Sequence, residues 1–587
     1  MTVTLRRSPV EMRPPPSSPR PLLVLLPVAL WVVTSVCLLG AAYRSANKGA
    51  REIAEARRSL GDSGLDTDTA AAHLDRAQRA FVAAAGHARS PVLAPTRVVP
   101  VIGRHVSSFG DLAHAAGQLT SVGAATVDNV QAALADAPTS GPERISVVRE
   151  LAGIASRADS ALRRISVRPH RHLVASLDKR WTELDNALTE TRSSLHAARQ
   201  VLDGVAGLLQ GPRRYLVLAA NNAEMRAGSG MFLSAATLDV ANGSLTLGPM
   251  RPTGELTVPG TGVEIEGDLA SRWGWLEPGR EWRNLGTTPR FEVSAAVAAR
   301  MWERLTGEHV HGVLALDVEL LRAVLVAVGP VTVDDQIVTA ETVVPRVLHD
   351  QYAGFDFHDA QGPRREQLGR IAAEALAAVQ GRAYSLASLA QRVAAASRGR
   401  HFLAWSAEAE EQRIWHTAGL DGSMTSTSVA LNVLNRGGNK LDQFLGVTAT
   451  LDVNATQETT DVALHVRVRN QTPPGEPPYI AGPHPDSGVG EGDYVGILAL
   501  NVPGRAFDVG VQGADNLVAA GSDGPTQVVG APLLLRRGEE VSVVVRFRLP
   551  ARDRAVTVVP SGRIPPVAWK AGPRQWDDTT TRVVRWQ

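Results

Sequence analysis

Cysteine is almost missing from this chain, and lysine is scarce. The one cysteine among 587 residues is Cys37, which excludes an intramolecular disulfide, a cysteine-based metal cage and a C-x-x-C redox site. The 61 basic residues include only four lysines, which leaves 57 arginines. Because 59 acidic residues offset them, the formal net charge is only +2, and this balance argues against a dedicated nucleic-acid-binding protein.

Familiar catalytic motifs are also lacking. The sequence has no G-x-x-x-x-G-K-[ST] phosphate loop, no G-x-G-x-x-G loop after a strand and no H-E-x-x-H zinc motif. We therefore predict no metal site and no cofactor. Hydrophobic residues make up 44% of the chain, which is enough for several packed domains rather than a disordered protein.

Residues 21–43, PLLVLLPVALWVVTSVCLLGAAY, carry no charge. As a helix this run would be about 34 Å long, enough to cross a hydrocarbon core of about 30 Å. We therefore predict a single transmembrane helix over 21–43, preceded by a disordered cytoplasmic tail over 1–20. Arginines and lysines flank the run on both sides, so the positive-inside rule does not decide the orientation. The cysteine-free remainder suits an extracytoplasmic body at the cell membrane.

Residues 44–210 are rich in alanine and favour helices. Their clearest pattern is an apolar seam with alternating spacings of four and three, which is typical of a coiled coil. The seam consists of Leu177, Trp181, Leu184, Leu188, Thr191, Leu195, Ala198 and Leu202. We predict an α-helical stalk or bundle here, either a coiled coil that binds a partner or a spacer that packs on itself or on the next domain.

Residues 211–445 have the pattern of an α/β sheet domain. A buried strand over 215–220 is followed by a polar loop over 221–230, and the Asn242-Gly243 pair signals a hairpin. A later strand over 310–316 leads to Asp317, which is suited to cap a helix over 318–328. From 446 to 587 alternating apolar residues with frequent glycine and proline predict a C-terminal β-sandwich.

The candidate site is a set of polar residues after the first buried strand: Asn221, Asn222, Glu224 and Arg226. Ligands of open α/β sheets bind beyond the carboxyl ends of strands, and an arginine can grip a phosphate or carboxylate with two hydrogen bonds. An asparagine-rich turn that bonds its own backbone explains the same residues. The sequence is compatible with a ligand site and with a self-bonded turn.

The sequence resembles a family of membrane-anchored bacterial proteins that carry a domain of unknown function. The resemblance rests on RRYLVLAANNAEMRAGSGMFLSAATLDVANGSLTL, on MWERLTGEHVHGVLALDVELLRAVLVAVGPVTVDD, on NLGTTPRF and on NVLNRGGNKLDQFL. It covers about residues 50–587. The family has no assigned activity, so it implies an architecture rather than a reaction.

A more distant resemblance is to the LytR–CpsA–Psr transferases, which move glycopolymers from polyprenyl-phosphate carriers onto peptidoglycan. Arg226 matches the arginine of their first polar loop, Arg251 in PMRPT matches that of P-R-D-T, and PRREQLGRIAAEAL is similar to the helix that carries Arg365. The resemblance implies an α/β domain of that type with a polyprenyl-phosphate site. The two acidic residues of the family pattern are missing: Ser229-Gly230-Met231-Phe232 replaces the first, and Pro252 the second.

These features predict an extracytoplasmic protein of envelope glycopolymer assembly that binds a polyprenyl-phosphate-linked glycan, or peptidoglycan, without catalysis. One alternative is an active transferase in which Asp317, Glu224 or Asp442 replaces the missing acidic residues. Another is a structural envelope protein that makes protein contacts. Asn439, Lys440 and Asp442 complete the candidate ligand-binding residues. Trp273, Trp275 and Trp282 lie in one segment and either stack on a sugar, line a lipid tunnel mouth or pack as a lid.

Overall fold

The computed structural model describes residues 22–61, 67–166, 172–353, 362–482 and 488–586; the predicted tail over 1–20 lies outside them. The chain divides into two compact units, Met1–Asp128 with Ala158–Ser193, and Asn129–Arg157 with Ser194–Gln587. The helices are α1 (Leu22–Gly61), α2 (Thr67–Ala88), α3 (Pro100–Ala133), α4 (Gly141–Leu162), α5 (Ala175–Gln210), α6 (Gly267–Trp273), α7 (Phe291–Thr306), α8 (Val318–Val328), α9 (Val343–Pro345), α10 (Gln351–Ala353), α11 (Gly362–Gly381), α12 (Leu386–Arg398), α13 (Ala409–Thr417) and α14 (Pro478–Ala481).

The first unit is helical, and α1 packs along α2. A Cβ atom on Gly49 of α1 would lie 2.8 Å from the ring of Phe81 of α2, so a larger residue there would require the ring to move. Ala42 is buried in the same unit. The predicted seam of α5 is confirmed for its first half, since Leu177, Leu184 and Leu188 are buried and Trp181 donates its indole N–H to Ser108 Oγ of α3 at 2.8 Å.

The predicted transmembrane helix over residues 21–43 is wrong. Among the helices of the described residues, none combines the length and the apolar character that crossing a bilayer requires. The apolar run is not a helix of its own, because α1 continues through Arg44, Lys48 and Arg51 to Gly61. Trp31, in the middle of the run, donates its indole N–H to the carbonyl of Val92 at 2.7 Å. This part of the run therefore contacts protein.

The second unit contains a mixed sheet in the strand order β3-β2-β1-β5-β8, with β4 paired to β2. β1 runs parallel to β5 and antiparallel to β2, and β5 runs antiparallel to β8. A separate β6–β7 hairpin follows α8. The strands are β1 (Arg213–Arg226), β2 (Ser229–Ala241), β3 (Ser244–Leu247), β4 (Arg251–Pro252), β5 (Gly312–Leu316), β6 (Val331–Val333), β7 (Gln336–Val338) and β8 (Phe402–Ser406).

The predicted cap of α8 is confirmed. Asp317 accepts hydrogen bonds from the backbone N–H groups of Glu319 at 2.9 Å and Leu320 at 3.4 Å, which satisfies donors that the first helical turn leaves unpaired. The helix ends before Gly329, whose φ of +82° is accessible to glycine at little cost. The strand, cap and helix thus have the predicted order.

The predicted polar loop over 221–230 is wrong in most of its length. β1 continues through Arg226, and β2 begins at Ser229, so only Ala227 and Gly228 form the turn. Between the pairs Asn221–Met231 and Met225–Gly230, however, three residues of β1 have no partner in β2. This bulge interrupts the alternation of side chains along the strand, and it contains Glu224.

The C-terminal part is a β-sandwich of two six-stranded sheets. One has the order β13-β16-β11-β10-β18-β19, the other β14-β15-β12-β9-β17-β20, and apolar residues from both sheets share one core. The strands are β9 (Ser428–Asn435), β10 (Leu445–Ala455), β11 (Thr459–Asn470), β12 (Tyr494–Pro503), β13 (Phe507–Gln512), β14 (Ala519–Asp523), β15 (Thr526–Leu535), β16 (Glu540–Pro550), β17 (Ala555–Val559), β18 (Ala568–Ala571), β19 (Arg574–Asp577) and β20 (Arg582–Arg585).

Candidate functional site

A cavity of about 570 Å³ lies between the mixed sheet and helices α8, α11 and α12. Its volume falls within the roughly 300–1,000 Å³ that small-molecule sites occupy. Most of its wall is aliphatic. The apolar lining residues include Val217, Ala219, Leu233, Leu238, Leu245, Leu247, Met250, Leu314, Leu316, Leu320, Leu321, Val324, Ala372, Ala375, Leu376, Val379, Leu389, Val393 and Phe402.

Side chains alternate between the two faces of the sheet along each strand, and this alternation determines which residues line the cavity. In β1, Leu216 and Leu218 pack into the core that contains α7, whereas Val217 and Ala219 line the cavity. In β5, Val313 likewise joins that core. Both faces of these strands are therefore apolar: α7 packs directly on one of them, whereas the cavity lies between the other and helices α8, α11 and α12.

A polar cluster forms one part of the cavity wall, and we define it as Asn221, Glu224, Tyr352, Lys440 and Tyr479. Glu224 and Lys440 form a buried ion pair. Lys440 Nζ also lies 5.0 Å from the centroid of the Tyr352 ring and 5.2 Å from that of Tyr479. The two tyrosine rings stack with centroids 5.7 Å apart, and Asn221 donates its side-chain amide to the Tyr352 hydroxyl at 3.1 Å. The β1 bulge thus places the Glu224 carboxylate against a lysine whose ammonium lies beside two stacked aromatic rings.

Three arginines lie near this cluster. Arg283 lines the cavity, and its guanidinium forms a two-pronged ion pair with Glu281 at 2.9 and 2.6 Å. Burial, and after it the positive charge of Arg436, lowers the pKa of Arg226 to about 10. Burial also lowers the pKa of Arg436, and the charge of Arg283 adds to this. These mutual effects indicate that the three cations are close enough to repel one another.

Arg226 is buried, and its guanidinium is hydrogen-bonded to backbone carbonyls of the protein. Its guanidinium donates hydrogen bonds to the backbone carbonyls of Arg283 at 2.6 Å, Asn435 at 2.6 Å and Met225 at 3.1 Å. It is not among the residues that line the cavity. Its side chain therefore connects β1 to the segments that contain Arg283 and Asn435.

Asp317 lines the cavity but has little capacity for another partner. One of its oxygens caps α8, and the other accepts hydrogen bonds from Asn222 Nδ2 at 2.8 Å and contacts His401 Nδ1 at 2.7 Å. Burial, the largest single effect, lowers the pKa of His401, but the charge of Asp317, its hydrogen bond and the more distant charges of Glu319 and Asp578 together raise that pKa above the ordinary value. Asn222 also donates to the carbonyl of Gly562 at 2.9 Å.

Asp442 and Asn439 lie in a second buried network. Asp442 is fully buried and accepts hydrogen bonds from four donors of the chain. These donors are Met225 N at 3.0 Å, Asn435 Nδ2 at 2.9 Å, Tyr494 OH at 3.1 Å and an Arg563 guanidinium nitrogen at 2.9 Å. Asn439 donates to the carbonyl of Asp493 and accepts from Asn435. Burial, followed by the Asp442 charge, raises the pKa of Tyr494 well above its ordinary value, so its hydroxyl keeps the proton it donates.

The predicted arginines do not line the cavity together. Arg251 is exposed in β4, opposite Ala235. Arg365 lies in α11, and its side chain is outside the described part of the chain. The cavity wall instead combines Asn221, Glu224, Asp317 and Lys440 with residues that sequence reasoning did not select, namely Arg283, Tyr352 and Tyr479.

The tryptophans of one segment have different environments. Trp273 and Trp282 are 1% exposed and pack into the core beneath the sheet, and Trp282 donates its indole N–H to the carbonyl of Leu256 at 2.7 Å. Trp275 is 55% exposed. The Arg436 guanidinium lies 5.9 Å from the centroid of the Trp275 ring, which is within the range of a cation–π contact.

The fold and the site define a multidomain protein with an apolar cavity whose wall carries a buried polar cluster. Residues 210–352 match the model of a family described as "Protein of unknown function (DUF4012)". The predicted resemblance to a family with a domain of unknown function is thereby confirmed over the segment from β1 to Tyr352. A search of curated proteins and a search of solved structures found no match.

Proposed function

We propose that this protein binds a polyprenyl-phosphate-linked glycan during assembly of a cell-envelope glycopolymer and does not catalyse its transfer. The observation that carries this proposal is the aliphatic cavity with a lysine and an arginine in its wall. A ligand that fits both features has an apolar chain and an anionic head group. A polyprenyl phosphate or pyrophosphate has this composition.

The charge around the polar cluster favours an anion. Arg226, Arg283, Arg436 and Lys440 are cationic, whereas Glu224 and Glu281 are the carboxylates that contact them among the described residues. Of these cations, Arg283 has a side chain that is 51% exposed, so a phosphate can approach it from solvent. Arginine forks suit phosphate oxygens because they donate two parallel hydrogen bonds.

The hydrogen bonding of the three candidate carboxylates supports binding without catalysis. The alternative transferase needs Asp317, Glu224 or Asp442 as a free acidic group, yet each is occupied by donors of the chain. Both oxygens of Asp317 and both of Asp442 accept hydrogen bonds, and Glu224 pairs with Lys440. Freeing any of them would leave buried donors without partners, at about 1–3 kcal/mol for each.

A glycan head would extend toward the exposed tryptophan. Trp275 presents an amphipathic ring at the surface, and Arg436, which lies over that ring, belongs to the same group of cations as Arg283. Aromatic rings of this kind stack on the apolar faces of sugars. The proposed ligand therefore has its chain in the cavity, its phosphate at Arg283 and Lys440, and its first sugar at Trp275.

The test is a titration of the full chain with a short-chain polyprenyl pyrophosphate, with and without magnesium. We expect binding under both conditions and no transfer to added peptidoglycan. Ala372→Phe, which fills the cavity from α11, should weaken binding about 10-fold or more, because it displaces several methylene contacts. Its matched control is Ala373→Phe, because Ala373 is the exposed neighbour on the same helix and does not line the cavity.

The outcomes separate the alternatives. Transfer of the glycan to peptidoglycan would favour the transferase. Absence of binding to polyprenyl pyrophosphate, polyprenyl phosphate and polyprenol alike would favour a structural envelope protein. Equal loss of binding in both phenylalanine variants would exclude the cavity as the binding site of the polyprenyl chain.

We also propose an extracytoplasmic location at the cell envelope, where glycopolymers are attached to peptidoglycan. The near absence of cysteine suits such a location. A reporter that is active only outside the cytoplasm, fused after Gln587, should be active in cells. A reporter that is active only in the cytoplasm would give a signal at the same position if this proposal is wrong.

A further inference from the structure

The cavity beside the mixed sheet is elongated along β1. Val217, Ala219 and Asn221 line it from one face of this strand. Leu238 of β2 lines it as well, and it is paired with Tyr215, which precedes Asn221 by six positions. Because a strand rises about 3.3 Å per residue, roughly 20 Å separate Leu238 from Asn221 along the strand direction. The polar cluster, to which Asn221 belongs, therefore lies at one end of a long cavity.

Tyr215 fills the space at the other end. Side chains on one face of a strand recur every two residues, so Tyr215 shares its face with Val217 and Ala219. It does not line the cavity, however, because it is only 3% exposed and packs in a buried cluster with Leu208 and Val240. Three residues of the cavity wall pack against this cluster, namely Leu238, Leu245 and Leu314. The Tyr215 ring thus occupies the position at which the cavity would otherwise continue beyond Val217.

The Tyr215 ring is held in place by its neighbours. Its hydroxyl donates to Glu411 Oε1 at 2.6 Å, and the same oxygen accepts the indole N–H of Trp415 at 3.2 Å. Gly312 of β5 is paired with Tyr215, and a Cβ atom on this glycine would lie 3.2 Å from the tyrosine ring. Moving the ring aside would break a buried hydrogen bond. The ring therefore forms a fixed end to the cavity.

β3 and α11 are joined at the same end. The Gln380 side chain, in the last turn of α11, accepts the backbone N–H of Leu245 at 3.1 Å and donates to its carbonyl at 2.9 Å. Arg144 of α4 donates to the carbonyls of Gly243 at 3.0 Å and Gln380 at 2.8 Å. Leu245 and Val379, the neighbour of Gln380, both line the cavity. These hydrogen bonds keep the strand and the helix together where the cavity ends.

Two estimates of the capacity of this cavity agree. An extended polypeptide advances about 3.3–3.6 Å over the three bonds of one residue, so the four bonds of an isoprene unit advance roughly 4.5 Å. A length of roughly 20 Å then holds about four units. Independently, the volume of about 570 Å³ corresponds to roughly 19 heavy atoms at about 30 Å³ each. Four isoprene units contain about this number of carbon atoms.

We propose that Tyr215 is the end stop of the polyprenyl chain site, so that the cavity accepts about four isoprene units counted from the phosphate. Further units gain no contact with the cavity wall, and a longer chain keeps them outside. This inference rests on the proposed function and specifies its ligand. Tyr215 determines the accepted chain length without contacting the phosphate or the sugar.

A series of ligands of increasing length tests the end stop in the full chain. Polyprenyl pyrophosphates of one to six isoprene units should bind about 10-fold more tightly with each unit up to about four, since each unit adds five carbon atoms. Units five and six should add nothing. Polyprenols of the same lengths, which lack the phosphate, separate this inference from the proposed function. A limit near four units in the polyprenols, without binding of the pyrophosphates, would support the end stop and contradict the phosphate site. Absence of binding in both series would overturn both.

Removal of the end stop should move the limit. In Tyr215→Ala the missing ring leaves room for about one more unit, so the five-unit ligand should bind about 10-fold more tightly than the four-unit ligand. Tyr215→Phe is the matched control, because both variants lose the hydrogen bond to Glu411 but only the alanine variant loses the ring. In the phenylalanine variant the two ligands should bind equally. Each comparison uses two ligands on one variant, so a partly unfolded sample does not change the ratio.

A second pair of variants should shorten the site. Leu245→Trp fills the far end, so it should weaken binding of the four-unit ligand about 10-fold and leave that of the two-unit ligand unchanged. Thr246→Trp, at the exposed neighbouring position on β3, should change neither. The end stop is wrong if affinity in the unaltered protein rises about 10-fold with each unit from four to six. It is also wrong if Tyr215→Ala and Tyr215→Phe show the same limit, or if Leu245→Trp weakens the two-unit and four-unit ligands equally.

Discussion

Lys440 and Glu224 form an ion pair in which each side chain is only 7% exposed. They lie 216 positions apart in the sequence, one in the bulge of β1 and the other after β9. The pair therefore connects the mixed sheet with the first sandwich strands at the wall of the cavity. Its burial makes it sensitive to loss of either partner, because the remaining charge would have no compensation.

The first prediction concerns this pair. Lys440→Met should lower the free energy of unfolding by about 3–5 kcal/mol, because it leaves the Glu224 carboxylate buried and unpaired. The double variant Lys440→Met with Glu224→Leu should recover most of that loss. Urea denaturation of the single and double variants gives the coupling free energy between the two residues. Arg180→Met, which breaks an exposed pair with Glu183, should change stability by less than about 1 kcal/mol.

Local sequence signals predicted the elements that depend on neighbouring residues. Asp317 as a helix cap and the Asn242-Gly243 turn need only a few adjacent residues, and both are present in the structure. The polar loop after Ala220 was a wrong prediction, because its asparagines and glutamate have partners far along the chain, such as Tyr352 and Lys440. No local pattern contains such partners.

The same limit applies to the site. Asn221, Glu224, Asp317 and Lys440 could be selected from the sequence because polar residues followed apolar strands. The cavity itself depends on helices α8, α11 and α12 lying over one face of the sheet, and this arrangement is set by tertiary packing. Arg283 gave no signal of its own, although it directly precedes the NLGTTPRF segment that carried the family resemblance.

The second prediction separates the roles of the arginines. The sequence predicts that Arg226 and Arg251 share one diphosphate, whereas the cavity wall contains Arg283. Arg283→Ala should weaken polyprenyl pyrophosphate binding about 10- to 150-fold, the effect of one lost charge-assisted hydrogen bond. Arg251→Ala is the matched control, because Arg251 is exposed and does not line the cavity. A larger loss of affinity in Arg251→Ala than in Arg283→Ala would favour the phosphate site predicted from the sequence.

The third prediction concerns Arg226. Arg226→Ala should lower the free energy of unfolding by about 3 kcal/mol or more, because three backbone carbonyls lose their donor. Arg226→Lys should recover only part of this stability, since an ammonium group does not reproduce the planar fork. Thermal and urea unfolding measure both variants. Unchanged stability in Arg226→Ala, together with lost pyrophosphate binding, would assign this side chain to the ligand instead.

The fourth prediction is a pH dependence of stability. The folded protein holds the pKa of His401 above the ordinary value of 6.5, despite burial, through the charge of Asp317 at 2.7 Å and the more distant charges of Glu319 and Asp578. Stabilisation by protonated His401 is therefore complete below pH 6.5 and is lost as the pH rises through the folded pKa. His401→Gln should flatten this part of the stability profile. His309→Gln, at an exposed position, should leave it unchanged.

The last prediction tests the sugar end of the proposed ligand. Trp275→Ala removes an exposed ring that packs on Arg436 but leaves the cavity and the polar cluster unaltered. We expect this variant to bind a polyprenyl pyrophosphate without sugar normally and to bind the glycan-linked form about 5- to 150-fold more weakly, since aromatic stacking contributes roughly 1–3 kcal/mol. Trp586→Ala, a partly buried tryptophan of the sandwich, is the control. If Trp275→Ala weakens both ligands equally, the ring contributes to the chain or phosphate site and the sugar must lie elsewhere.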